Sequence, residues 1–240
     1  MEVKSYLNNL YILFFWLTLS LFATYAQADN IVKADTISSS SSQNACSPQP
    51  IHGIPDESNF TILGFTLLKS SFEDIRAKLG QTEGFQSELK EGVPLDICYR
   101  SNQKSDGTIV VFETDDMVIT SFRIILGKAP FRWRNKCKKS PFISKNIQTK
   151  SGVKLGITQE QLEKILGNKP SMIIGNNLSF TYLGKRKMTN DEIEKLSKTF
   201  GAEAVKEDSH FPYWNESCFI NAKFLNSKLI DVTIGKIESW

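Results

Sequence analysis

Two stretches of the chain share one arrangement of apolar and polar positions. Residues 68–80 align with residues 155–167, with leucine, glutamate and a closing Leu-Gly at matching places. In each, apolar side chains recur at helical spacing, Phe72, Ile75 and Leu79 in the first and Leu162, Ile165 and Leu166 in the second, so each predicts a short helix with one buried stripe. A capping box opens each helix, Ser70 with Glu73 and Thr158 with Gln161, and a glycine, Gly80 or Gly167, closes it. After each helix the period changes to two. Residues 97–100, 108–113 and 118–125 read as strands of an antiparallel meander, parted by turn-formers at 102–107 and 114–116. Residues 179–183, 218–225 and 229–234 repeat the pattern, with Asn226-Ser227 as a tight turn between the last two. An extra helix at 190–199 interrupts the second set: Thr189 and Glu192 form its capping box, Ile193 and Leu196 its apolar face, and Gly201 its stop. The fold class is therefore α+β: two repeats of a short helix followed by an antiparallel sheet, with an extra helix inserted in the second repeat.

The N-terminus follows a different pattern. A short polar stretch carrying Lys4 precedes an apolar run of 14 residues, Leu10 to Ala23, and Ala26-Gln27-Ala28 supplies the small-x-small sequence that a signal peptidase reads. The run is shorter than the roughly 20 residues a membrane-crossing helix needs. Residues 1–28 are thus expected to be a signal peptide cleaved near Ala28, leaving a periplasmic or secreted protein; retention as an uncleaved anchor is the alternative. Residues 29–55, rich in Ser, Gln, Asn and Pro, hold too little apolar surface to offset the entropy of ordering and read as a flexible linker. The first repeat then covers residues 56–140 and the second residues 141–240.

All four cysteines lie beyond the signal, and an even number in an oxidising compartment reads as two disulfides, for which three connectivities exist. Cys98 with Cys137 is favoured because both flank one antiparallel sheet, which leaves Cys46 to tie the N-terminal segment to Cys218. No C-x-x-C pair occurs, and the two histidines, His52 and His210, are far apart, which argues against a metal site. The net charge of +3 gives no global field that would favour nucleic acid.

The residues Gly156, Thr158, Leu162, Leu166, Gly167 and Pro170 resemble the helix motif of the SmpA/OmlA family of small bacterial outer-membrane lipoproteins. The same unit occurs in tandem in β-lactamase inhibitory proteins. The resemblance covers about 15 residues per copy closely and the rest only by order of elements. The chain lacks a cysteine placed for lipid anchoring, and the first copy has Lys69 where the second has Gly156. Those families are exported, non-enzymatic and bind other proteins through the sheet or its loops, so the resemblance implies a protein-binding role in the bacterial envelope, and fold alone does not fix function.

The sharpest local feature is residues 128–139, six basic side chains with Phe131 and Trp133 and no acid. Arg132, Trp133, Arg134, Lys136, Lys138 and Lys139 are the candidate contacts for an envelope or secreted protein, or for an anionic envelope polymer or lipid, with Trp133 as anchor; a solvated loop pinned by Cys137 is the plainer reading. The aromatic run 210–215 is either a contact patch or, with burial favoured, the closure of the second core. No nucleophile elbow, zinc-protease motif, phosphate loop or Cys-His pairing is present, so no catalytic residue and no cofactor are assigned. An envelope hydrolase would have to assemble its site from Asp96, Tyr99, His210 and Glu216. A structural spacer is the remaining alternative.

Overall fold

The computed structural model describes residues 50–84, 96–115, 118–130, 133, 136–208 and 211–239, all within one compact unit, residues 46–240. The signal peptide, most of the linker, and Cys46, Arg132, Arg134 and His210 lie outside the described residues. The strands are β1 (Ile51–His52), β2 (Thr61–Ile62), β3 (Phe65–Thr66), β4 (Asp96–Ser101), β5 (Thr108–Asp115), β6 (Val118–Leu126), β7 (Lys138–Ser140), β8 (Met172–Ile174), β9 (Asn177–Lys187), β10 (Tyr213–Leu225) and β11 (Lys228–Ser239). The helices are α1 (Phe72–Leu79), α2 (Gln159–Leu166), α3 (Asn190–Phe200) and α4 (Ala202–Glu207). None of the described helices is long and apolar enough to cross a membrane.

The helices start where their caps dictate. Thr158 with Gln161 and Thr189 with Glu192 form the expected reciprocal boxes on α2 and α3. On α1 the box sits one residue later than Ser70 and Glu73: the Asp74 amide donates to Ser71 Oγ at 3.3 Å, and the Ser71 amide donates to the Asp74 carboxylate at 2.8 Å. The Ser70 hydroxyl is already committed, accepting from the Thr66 amide at 3.1 Å. Gly167 closes α2 in the left-handed conformation, where a Cβ would be strained.

The long strands and three short ones build one nine-stranded mixed sheet in the order β1-β9-β10-β11-β6-β5-β4-β7, with β8 also paired to β9. Each of α1 and α2 precedes an antiparallel meander, β4-β5-β6 and β9-β10-β11, and the two meanders join edge to edge where β11 runs antiparallel to β6, from Asp231 opposite Ile125 to Gly235 opposite Ser121. Asn226 and Ser227 turn β10 into β11 with positive φ at both positions, the twist a two-residue hairpin requires. β1 and β7 pair in parallel at the two ends of the sheet. Thus the end of the segment read as linker contributes a strand, Ile51 opposite Tyr182.

Strand alternation sorts side chains onto two faces. The inner face, with Tyr99, Phe112, Phe122, Phe180, Tyr182, Ile220 and Ile234, forms one core with Phe72, Ile75 and Leu79 of α1, Leu162 and Leu166 of α2, and Ile143 to Ile157 of the connecting segment. On the outer face of β4-β5-β6, a smaller cluster joins Cys98, Ile109, Val111 and Ile125 to Trp133 and Cys137, with Ala129 packed against it, so these described residues between β6 and β7 lie back over the sheet as a flap. α3 has no buried residue; Ile193 and Leu196 are half-covered only, short of the buried face their spacing predicts.

Candidate functional site

The flap is positioned by β4. Its outward side chains are Asp96, Cys98 and Arg100, in alternation with the inward Ile97 and Tyr99. Cys98 forms a disulfide with Cys137, as favoured from the sequence, and Trp133 Nε1 donates to Asp96 Oδ2 at 3.2 Å. Beyond the disulfide, β7 runs parallel to β4 with Arg100 opposite Lys139. Each cation lies two residues past a bridged cysteine, so the disulfide sets the register that puts Arg100 and Lys139 side by side on the outer face.

Two turns complete the surroundings. The β4-β5 turn carries Lys104 and the chain after β6 carries Lys128; the turns are tied by the Gly127 amide donating to the Gly107 carbonyl at 2.9 Å. A groove of about 520 Å³ opens between these segments, lined by Arg100, Lys104, Lys128 and Lys139 over a floor of Ile109, Trp133 and the disulfide, with no acidic residue among the described residues of its lining. All four cations are exposed, and none forms an ion pair with a described residue.

The outer face of β9, β10 and β11 has a different character. Register sets side chains in three lateral rows, Leu183–Ser217–Ile237, Thr181–Phe219–Gly235 and Ser179–Asn221–Thr233. No row contains a charged residue, while Lys185 and Lys223 stand beyond them at either end. Leu183 and Ile237 are exposed at 42% and 54%. The tip of the Phe219 ring reaches over Gly235, where a Cβ would come within 2.2 Å of it. The missing side chain makes room for the ring.

On the inner face the same three strands run past the core and end in compensated charge. Arg186 donates two bonds to Glu192 at the start of α3, at 2.8 and 3.0 Å, and two to Glu238, at 2.8 and 3.3 Å; Lys236 sits 2.7 Å from Glu216. The bonds from Arg186 hold the Glu192 carboxyl down at about 2. This cluster fastens α3 to the sheet.

Several expectations are corrected here. Trp133 is only 3% exposed, packed in the flap and hydrogen-bonded to Asp96, with the Arg123 guanidinium 5.9 Å from its ring, so it is a floor and not an exposed anchor. Lys136, Lys138 and Lys139 are exposed, yet of these only Lys139 lines the groove, since Lys138 turns away and its Nζ donates to the Gln81 carbonyl. Cys218 is a free thiol on the inner face of β10, fully buried, so the bridge expected from Cys46 is not formed there. Burial pushes the Cys218 thiol up to about 12. Of the aromatic run, Phe211 and Trp214 are half-buried and Tyr213 is 42% exposed, so it is neither a sealed core nor a free patch.

Asp96 and Tyr99 project from opposite faces of β4, the Tyr99 hydroxyl donates to the Gly80 carbonyl at 2.8 Å, and Glu216 pairs with Lys236 elsewhere on the sheet. These three do not converge on one point. Among the described residues no group of three or more His, Cys, Asp or Glu is placed to hold a metal ion. Arg100 and Lys104 were not singled out by the sequence; the one signal for Arg100 is its place two residues after a cysteine, matching that of Lys139. Comparison of the chain with protein-family models, with curated proteins and with solved structures finds no match.

Proposed function

We propose that this chain is an exported, non-enzymatic binding module of the cell envelope that engages a protein partner through the outer face of β9, β10 and β11. The observation that carries this reading is the open face itself: three adjacent rows without charge, apolar at Leu183, Phe219 and Ile237, flanked by Lys185 and Lys223. Protein interfaces have this anatomy, a charge-depleted centre with an aromatic side chain and a polar rim. Leu183 and Ile237 stand exposed on this face with only Ser217 between them in the row. Two further points support the proposal. The order helix then meander, met twice, fits the tandem unit that the α2 motif resembles, in families that bind proteins by the sheet. The Cys98–Cys137 disulfide suits an oxidising compartment.

Ile237→Lys is the test. It places a charge at one corner of the open face, on its most exposed apolar side chain, without touching the core, so the fold should keep its thermal midpoint. Capture of a protein from a detergent extract of the source cell's envelope should fall at least about tenfold, the scale of one apolar contact replaced by a charge. Capture equal to that of the unaltered protein removes the sheet face from the account.

A further inference from the structure

We propose that the groove between β4, β7 and the two neighbouring turns is a binding site for a multiply charged phosphate group. This goes beyond the sheet-face reading and stands on a different surface. Arg100 and Lys139 are direct lateral neighbours on adjacent strands, held there by the Cys98–Cys137 bridge two residues earlier on each. Like charges in that position cost stability when nothing lies between them. Lys104 and Lys128 reach the same groove from separate turns. Four cations from four chain segments therefore converge, with no carboxylate in the lining and no ion-pair partner for them among the described residues. Where lysines merely solubilise a surface, acids are interspersed with them. Here no acid among the described residues supplies the compensating charge, which leaves the position open to an anionic ligand.

The chemistry of the lining narrows that ligand. The Arg100 guanidinium is a planar fork that matches two phosphate oxygens, and three ammonium groups supply further charge from other directions. A single carboxylate would leave most of this charge unbalanced, whereas a phosphate cluster carries several negative charges in a small volume. The side chains of Asn102 and Gln103 add neutral donors to the rim. At about 520 Å³ the groove admits a headgroup-sized ligand. Its floor is the disulfide and the buried Trp133 indole, so the cations stand on a rigid base.

The test is titration of the oxidised protein at low salt with sodium tripolyphosphate and, in parallel, with phosphatidylcholine vesicles containing phosphatidic acid. Lys139→Glu should weaken binding at least about tenfold, because it reverses one of the four charges, and it should hold or raise the thermal midpoint by pairing with Arg100. Lys164→Glu, on the exposed face of α2, should bind as the unaltered protein does. Binding of both probes, or of either one alone, supports the site and identifies its phosphate as free or lipid-borne. Failure of both probes to bind, or equal binding by the Lys139→Glu and Lys164→Glu proteins, overturns it. Neither result bears on capture through Ile237, so the two proposals fail separately.

Discussion

Replacing both Cys98 and Cys137 by alanine should lower the folding stability by about 2–4 kcal/mol. The bridge spans a sequence separation of 39 residues. In the chain-entropy account a closed loop of that length removes about 4 kcal/mol of disorder from the unfolded ensemble at 25 °C, and structure remaining in that ensemble reduces the figure. Among the described residues the flap is held besides the bridge by the Trp133 ring in its outer-face cluster with the Arg123 guanidinium beside it, the indole hydrogen bond to Asp96, the Lys138 bond to the Gln81 carbonyl and the three register pairs of β7. The assay is urea unfolding of the double variant beside the unaltered protein, followed by circular dichroism, together with limited trypsin digestion under native conditions. The expected result is a lower midpoint and new cleavage at Lys128, Lys136, Lys138 or Lys139 while the rest of the sheet stays resistant. A loss below about 1 kcal/mol with no new cleavage would show that Trp133 and β7 alone fix the flap, and the argument that the disulfide sets the Arg100–Lys139 register would be wrong.

Acid should weaken the attachment of α3. Glu192 is held at about 2 in the fold by Arg186 but titrates near 4 when unfolded, so its contribution is complete above that range and is lost as pH falls through about 2. With both side chains about a third exposed the contribution is about 1 kcal/mol, and Arg186→Gln should flatten that part of an acid-unfolding curve; an unaltered curve would contradict the assignment. Gly235→Ala should cost about 1–2 kcal/mol by forcing the Phe219 ring off the strand, and the cost should vanish in a Phe219→Ala background when unfolding of the double-mutant cycle is measured. Cys218, buried and with its thiol near 12, should resist iodoacetamide in the native protein and react only on unfolding, as mass spectrometry of the digest would show.

The legible parts of the fold are those where local chemistry and burial agree. α2 carries its capping box, its apolar stripe and its closing glycine within ten residues, and all three are found where expected. β9, β10 and β11 are longer than their apolar alternation indicated, because past Tyr182, Cys218 and Ile234 the inward positions are filled by Arg186, Glu216, Lys236 and Glu238. Ion pairs replace apolar contacts there, and the period-two signal of hydrophobicity ends although the strands do not. β7 was hidden for a related reason: Lys138-Lys139-Ser140 has no apolar side chain to mark a strand, and its pairing comes from the disulfide. The same basic run made Trp133 look exposed, whereas the nearby Cys137 draws it onto the sheet. The groove could not be read from the chain because Arg100 and Lys139 become neighbours only once β4 and β7 pair. The open sheet face was expected in kind, and its membership depended on the register of three strands.

The proposed partner surface is tested most directly by a photo-activated cross-linking side chain placed at Ile237, with a second protein carrying it at Lys164 on α2 as reference. Both positions are exposed, so the two proteins differ only in the surface they sample. Irradiation in the envelope extract should give one dominant cross-linked protein from position 237 and none from position 164. The same product from both positions, or none from 237 while the unaltered protein still captures a partner, would contradict the assignment of the β9-β10-β11 face as the binding surface.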